Sequence, residues 1–282
     1  MRWRSLRTKL TVLSDVVSEL FIKKMAATQP ARGKLIVLHG WAFDHRCWLP
    51  LVPALQSEYD VWLVDLPSFG ASACLPVDTA EAWLAQTLLL LERVIDEASV
   101  SGESISVFGW SLGGQLALRL LQRHSGVRSA LGVATNLQFC ANADWPWAMP
   151  ADKFSEFLKN FISAPEQTLK IFLRLVAAGD ADTLALRKML PNAMSPFDAG
   201  RLANWHFALQ SLQLLDHTEV VFDRPVRLLL SDCDALVPIA VAQALAETST
   251  LTCQHLSRAS HGHLLIQPTL VAQALASFLH DH

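Results

Sequence analysis

Residues Gly109-Trp110-Ser111-Leu112-Gly113 set one serine hydroxyl between two glycines, directly after the apolar run ISVFG and ahead of the helical run QLALRLLQRH. This is the pattern of a nucleophile carried on a sharp strand-to-helix turn. Strand and helix approach so closely there that the residues two positions either side of the nucleophile must lack side chains. Ser111 is then held at a strained backbone angle with its Oγ exposed, and the positive end of the following helix lies behind it. A small-residue turn that only packs helix on strand is the plainer alternative, and the strand-turn-helix setting weighs against it.

A serine hydroxyl is a weak nucleophile until a base, itself oriented by a carboxylate, takes its proton. On this architecture the three groups follow in the order Ser, Asp, His. After the apolar run VRLLL (226–230) comes Ser231-Asp232-Cys233-Asp234-Ala235-Leu236-Val237-Pro238, and after LTCQHL (251–256) comes Ala259-Ser260-His261-Gly262-His263. Asp234 is favoured over Asp232 because it stands just before the Ala-Leu-Val-Pro segment. His261 is favoured over His263 because Gly262 leaves room beside it and His263 leads into an apolar run. Both pairs stay open on sequence alone. Acyl transfer also needs two donors aimed at the developing oxyanion. The backbone N–H of Leu112 is one candidate and that of Trp41, in the loop after the first strand, is the other; His39 reads as a brace for that loop.

These groups need a scaffold that brings distant loops to one edge. From residue 34 the chain alternates short apolar runs with longer helical patterns, which predicts βαβ units and a mostly parallel, doubly wound sheet. Strands are expected at 35–39, 61–65, 105–109, 130–134, 226–230 and 251–256, with helices near 78–97, 112–124, 238–248 and 269–280. About 90 residues between the fourth and fifth of these strands carry three or four helical patterns and no strand. An unstructured loop of that length is improbable, so residues 137–224 are expected to form a helical cap inserted into a core of 34–136 and 225–282. Residues 1–33 are expected to be a basic N-terminal extension, with the sheet beginning near Lys34. Leu6, Leu10, Leu13, Val17 and Leu20 make an apolar stripe there, suited to a membrane surface or a partner. Equally, Met25 would serve as a start, leaving the first 24 residues as an appendage.

Composition narrows the class. Of 282 residues, 51% are hydrophobic and 17% charged, which excludes disordered and collagen-like chains. Cys47, Cys74, Cys140, Cys233 and Cys253 form no C-x-x-C pair and are odd in number, which argues against a zinc site or disulfide framework and for a reducing compartment. Residues 1–34 carry a net +6, so the remainder is −9 within a total of −3. A body of that sign is poorly suited to nucleic acid. No apolar run approaches the roughly 18 residues of a membrane span, so no stable membrane insertion is expected. Arg2, Arg4, Arg7 and Lys9 resemble the start of an export signal until Asp15 and Glu19 interrupt the apolar stretch, and a cytoplasmic location is expected.

Leu38-His39-Gly40-Trp41, Asp65-Leu66-Pro67-Ser68-Phe69-Gly70-Ala71-Ser72, Gly109-Trp110-Ser111-Leu112-Gly113-Gly114, Asp234-Ala235-Leu236-Val237-Pro238 and Ala259-Ser260-His261 together resemble the α/β-hydrolase superfamily, from about residue 34 to the C-terminus. With Asp144-Trp145-Pro146, they most resemble the pimeloyl-[acyl-carrier protein] methyl ester esterases of biotin synthesis. The resemblance implies an α/β-hydrolase fold with an inserted cap over an acyl channel, a triad of Ser111, Asp234 and His261, and an oxyanion hole from the Trp41 and Leu112 amides. It also implies an esterase needing no cofactor and no metal, and docking of an acidic acyl-carrier protein through basic cap residues. Ser68 departs from the glycine usual at its position. Phe154, Phe157 and Phe161 recur at helical spacing and suit either an acyl channel or the core of their helix; Phe157 and Phe161 are the substrate-binding candidates, beside Trp41 and Leu112. Lys159, Lys170 and Arg174 are the docking candidates, although residues 137–224 hold eight basic against ten acidic side chains. A broader carboxylesterase, a thioesterase or a carbon–carbon bond hydrolase would use the same triad.

Overall fold

The computed structural model describes residues 19–99, 102, 105–245 and 250–281. Among these residues, seven strands form one sheet in the order β1-β3-β2-β4-β5-β6-β7. β2 (Lys34–Leu38), β3 (Asp60–Val64), β4 (Ile105–Trp110), β5 (Val127–Val133), β6 (Val226–Ser231) and β7 (Leu251–Leu256) run parallel to one another. All six residues of β4, the central strand, are buried. That is what an unbroken apolar run does in a sheet covered on both faces.

The connecting helices follow the same logic. α1 (Val52–Leu55) lies between β2 and β3, α2 (Ala80–Ala98) between β3 and β4, and α3 (Leu112–Arg123) between β4 and β5. The chain reverses its direction across the sheet after β3, so right-handed crossovers place α1 on one face and α2 with α3 on the other. Thr79 caps α2, its hydroxyl accepting from the Ala82 amide at 3.1 Å. Trp83, Leu91, Val94, Ile95 and Ala98 then recur at helical spacing on its buried side. α8 (His263–Ile266) and α9 (Pro268–Asp281) end the chain, with α9 packed beside α1. The helix expected over 238–248 is a short 3-10 turn, Ile239–Gln243, and residues 246–249 lie outside the described residues.

Between β5 and β6 lie α4 (Ala151–Ser163), α5 (Pro165–Ala177), α6 (Thr183–Ala193) and α7 (Leu202–Gln210). α4 packs on α5 and α7, and α5 on α6. The group is seated on the core where α7 meets α2 and α6 meets α8. Among the described residues, no helix is long and apolar enough to cross a membrane.

The sheet does not begin near Lys34. Ile22–Met25 forms β1, antiparallel to β3 with Ile22 opposite Val64 and Met25 opposite Val61. The boundary at residue 33 is therefore corrected: part of the expected extension is an edge strand. Its two lysines hid it, and they suit an edge, where charge discourages further pairing. Lys24 Nζ lies 4.1 Å from the Trp62 ring centre and 2.5 Å from Glu97 Oε1. The 29–33 segment is also tied down, by Gln29 N–H to Ser57 O (3.2 Å) and Arg32 N–H to Glu58 O (2.8 Å). The apolar stripe from Leu6 to Val17 lies outside the described residues, while Leu20 packs partly buried against the core.

A chain started at Met25 should therefore fold but melt lower. It loses most of the β1 ladder and the Phe21 N–H to Ser72 Oγ bond (2.9 Å). At about 1 kcal/mol net per hydrogen bond, every two bonds lost correspond to a Tm drop on the order of 5 °C in a chain of this size. Calorimetry of the two chains checks this; an unchanged Tm would mean that β1 contributes nothing measurable.

Candidate active site

The turn from β4 into α3 carries Ser111 at φ 54°, ψ −114°, a left-handed conformation that costs a non-glycine residue on the order of 1–3 kcal/mol. Its neighbours hold it there. The Ser111 amide donates to the Val133 carbonyl at 2.9 Å, and Gln115 N–H returns to the Ser111 carbonyl at 3.1 Å. The flanking glycines are a steric requirement: a Cβ on Gly109 would lie 2.0 Å from the Gly113 carbonyl carbon, and one on Gly113 would lie 2.4 Å from the Leu38 carbonyl oxygen.

The two ambiguous pairs separate by their hydrogen bonds. His261 Nδ1 meets Asp234 Oδ2 at 2.8 Å, with the two side chains 2% and 0% exposed. The other oxygen, Asp234 Oδ1, accepts from the Leu236 and Val237 amides at 2.8 and 2.9 Å, which locks the carboxylate's orientation. Asp232 is exposed and accepts from the Ala259 amide at 3.1 Å. His263 Nδ1 turns instead to Asp180 Oδ2 at 3.2 Å. The His261 carbonyl accepts from Trp110 Nε1 at 2.9 Å, which fastens the histidine's backbone to the residue before Ser111.

His39 braces the loop after β2. Its Nδ1 donates to the Gly40 carbonyl at 2.8 Å, and its Nε2 accepts from the Leu66 amide at 2.9 Å. Burial pushes its pKa down, against the pull of Asp65, and both contacts require the neutral ring with its proton on Nδ1. Asp44, His45 and Asp65 bring ligand atoms within 4.8 Å of one another, but these are already engaged. Asp44 holds Arg46 through both oxygens at 2.8 Å. Asp65 accepts from His45 through Oδ1, at 2.7 Å from N and 2.9 Å from Nδ1, and from the Ala71 amide through Oδ2 at 2.9 Å. The cluster pins the Trp41 loop to the 65–72 loop. In the latter, Ser68 adopts φ 69°, the left-handed angle that glycine would take without strain, and its carbonyl accepts from Trp205 Nε1 at 2.8 Å.

Ser111 opens into a cavity of about 350 Å³. Trp41 and the two residues after Asp234, Ala235 and Leu236, line it beside the serine. Its far walls come from the helices between β5 and β6: Phe154, Phe157, Phe172, Leu175, Leu209 and Leu212. The walls are apolar, with Lys153 the ionisable side chain among the lining residues. Trp41 is the hub, its ring 4.9 Å from that of Phe172, 5.0 Å from Phe161 and 5.9 Å from Phe157, and its Nε1 donates to the Trp205 carbonyl at 2.8 Å. A smaller cavity of about 210 Å³ lies at the opposite ends of the strands, around Lys34 and His280, and holds none of these groups.

Of the sequence candidates, Trp41 and Phe157 line the cavity, whereas Phe161 does not: it is fully buried behind the Trp41 ring. Leu112 begins α3 and its side chain is core. Lys170 and Arg174 are exposed one turn apart on α5. Lys159 is exposed on α4 in a separate groove with Leu158, Ile162 and His206. Sequence reading missed Lys153, Phe172, Leu175 and the Asp180 contact. Lys153 and Phe157 are four apart on α4, so their shared face was the one available signal.

Known proteins resemble this chain in sequence and in fold. The chain is 34% identical over 255 residues to the biotin biosynthesis bifunctional protein BioHC of Cellvibrio japonicus, a match covering 88% of this chain and 47% of that protein. It is 33% identical over 230 residues to the pimeloyl-[acyl-carrier protein] methyl ester esterase of Nitrosomonas europaea, covering 80% and 84% respectively. The chain thus spans about half the length of the bifunctional relatives it matches. Among solved structures, a bromoperoxidase from Bacillus anthracis superposes with a TM-score of 0.75 at 17% identity, covering 93% of this chain and 95% of that one. The enol-lactonase of Burkholderia xenovorans gives 0.74 at 16%, covering 93% and 97%; at such identities these likenesses speak to the fold alone. A strained serine between two obligatory glycines, on a seven-stranded sheet interrupted by four helices, is accompanied by a family model, alpha/beta hydrolase, matching residues 35–274, and the chain belongs to that family.

Proposed function

We propose that this chain is a serine carboxylesterase that removes the methyl ester from a pimeloyl group carried on an acyl-carrier protein, in biotin synthesis and in the cytoplasm. The observation that carries the catalytic reading is the 2.8 Å His261–Asp234 bond, its carboxylate oriented by two amides, beside a strained serine that faces an apolar cavity. The names of the Nitrosomonas europaea and Cellvibrio japonicus relatives support the substrate. A cavity of about 350 Å³ with apolar walls suits a short acyl chain.

Ser111 Oγ attacks the ester carbonyl while His261 Nε2 takes its proton, and Asp234 stabilises the imidazolium through Nδ1. The charge that develops on the carbonyl oxygen is received by the Trp41 and Leu112 amides, each such donor being worth about 2.7–4 kcal/mol. His261 returns the proton to the departing methoxide, which leaves as methanol. Water, deprotonated by His261, then attacks the acyl-serine and releases the free acid.

Mass spectrometry of the carrier after incubation with the purified chain tests this reading. Loss of one methyl group, with the acyl group still on the carrier, is the expected result; release of free carrier and methyl pimelate would make the chain a thioesterase. Docking is tested separately. Electrostatic steering acts mainly on encounter and is screened within about 8 Å at physiological salt. Reversing both Lys170 and Arg174 to Glu should raise KM for the carrier-bound ester about tenfold at low salt and leave a small soluble ester within twofold. Equal loss on both substrates would point to a misfolded cap, and no loss on either would place docking on another face.

A further inference from the structure

Asp180 stands in the turn between α5 and α6, far in sequence from the 259–263 loop, yet its carboxylate is buried in that loop. Its Oδ2 accepts from the Ser260 amide at 3.1 Å and the Ser260 hydroxyl at 2.9 Å, and meets His263 Nδ1 at 3.2 Å. Its Oδ1 accepts from the Asp182 amide at 3.0 Å. Asp180 is 7% exposed, Ser260 0% and His263 5%. Burial pushes the Asp180 carboxyl up, but the hydrogen bonds from the Asp182 and Ser260 amides, the Ser260 hydroxyl and the His263 ring outweigh it. They hold the group below the ordinary carboxylate range, so it is ionised at neutral pH.

The contact is part of a continuous seam. The Gly262 amide donates to the Val176 carbonyl at 3.0 Å and the Ala181 amide to the Arg258 carbonyl at 3.0 Å, so backbone bonds bracket Asp180 on both sides. Gly179 makes the approach possible: it adopts φ +82°, and a Cβ there would lie 2.7 Å from Cys233 Cβ, in the loop that carries Asp234. His261 sits between Ser260 and Gly262 and is the one residue of this loop whose ring is left to face Asp234.

We infer that Asp180 is a positioning residue for His261: its carboxylate fixes the residues on either side of the base, so the helices over the cavity also set the geometry of proton transfer. This rests on His261 being the base in the reaction proposed above. α5, which ends three residues before Asp180, also supplies Phe172 and Leu175 to the cavity wall. The acyl group and the base thus lean on one element. The coupling has a plain energetic basis: without the carboxylate, two Ser260 donors and one His263 donor lose their acceptor where water does not reach. The loop must then move to satisfy them, and an ångström of displacement at a catalytic group costs on the order of 100-fold in rate.

The test is a pair of variants, Asp180→Ala and Asp180→Asn, assayed on a small neutral ester and by the second-order rate of fluorophosphonate labelling, well below the Tm. For Asp180→Ala, kcat and the labelling rate should fall together by ten- to 100-fold with KM within twofold. Asp180→Asn, which keeps an acceptor for Ser260, should recover a large part of the loss and remain three- to tenfold below the parent. A lower Tm with kcat and labelling within twofold of the parent would overturn the inference, because the residue would then only hold the cap. A rise in KM at constant kcat would overturn it as well. Should Asp180→Ala fail to reach the native circular dichroism spectrum, Asp180→Asn decides: a three- to tenfold fall in kcat supports the inference and an unchanged kcat removes it. Failure of the serine-hydrolase reading on which this rests is distinguishable, since the parent chain itself would then not label.

Discussion

Ser111→Ala is expected to abolish fluorophosphonate labelling and to lower ester turnover by about 10⁴-fold or more, leaving only what the oxyanion donors and binding supply. The backbone offers no excuse for a smaller effect. Alanine carries the same Cβ as serine, so the strained φ of 54° is neither relieved nor worsened, and the amide bond to Val133 is kept. Tm should accordingly stay within a degree or two of the parent. Mass spectrometry of the labelled peptide checks the assignment: label retained on another residue of the variant would remove Ser111 from the mechanism.

Asp234→Asn should cost nearly as much, about 10⁴-fold in kcat, with little change in stability. The asparagine amide can keep its oxygen on the Leu236 and Val237 amides, as Asp234 Oδ1 does now. Its NH₂ then faces His261 Nδ1, which must accept instead of donate. The ring proton moves to Nε2, the atom that has to take the serine proton, and the base is disabled without moving. Asp232→Asn is the control. Asp232 is exposed, and an asparagine oxygen there can still accept from the Ala259 amide, so kcat should stay within twofold. Steady-state kinetics on both variants decide; a larger effect at 232 than at 234 would reverse the assignment.

The reasons why some of this was legible in the sequence and some was not are physical. Five of the six expected strands lie within a residue of their expected positions, and β5 starts three residues early, because buried parallel strands are nearly unbroken apolar runs. β1 escaped because four residues with two lysines carry no such run; only pairing with β3 makes Ile22–Met25 a strand. The elbow was readable because its glycines are demanded by backbone contact. The Asp and His pairs were not, since residue type and spacing leave either member eligible. What separates them is that His263 is engaged by Asp180, 83 residues earlier, a partner no local pattern announces. Helical periodicity likewise marked Phe154, Phe157 and Phe161 as one apolar face of α4 without telling a cavity wall from a core. Phe154 and Phe157 line the cavity, while Phe161 packs on Trp41.

The insertion between β5 and β6 has a consequence for how the protein can change. Pairing Ala130 with Val226 closes a loop of roughly 95 residues, yet closure entropy grows only with the logarithm of length, about 0.6 kcal/mol per doubling. A replacement segment of half or twice the length would alter the sheet's stability by no more than that from closure. Ser111 lies before the insertion and Asp234 and His261 lie after it, so a graft leaves the proposed triad in place. What a graft must reproduce is attachment. Trp205 Nε1 and Arg201 reach the Ser68 carbonyl, Asn204 holds the Leu75 amide, Ser195 Oγ accepts from the Gly70 amide, and Asp180 reaches Ser260. New substrate ranges on this scaffold are therefore limited by these attachments to the core, and hardly at all by how much chain runs between them.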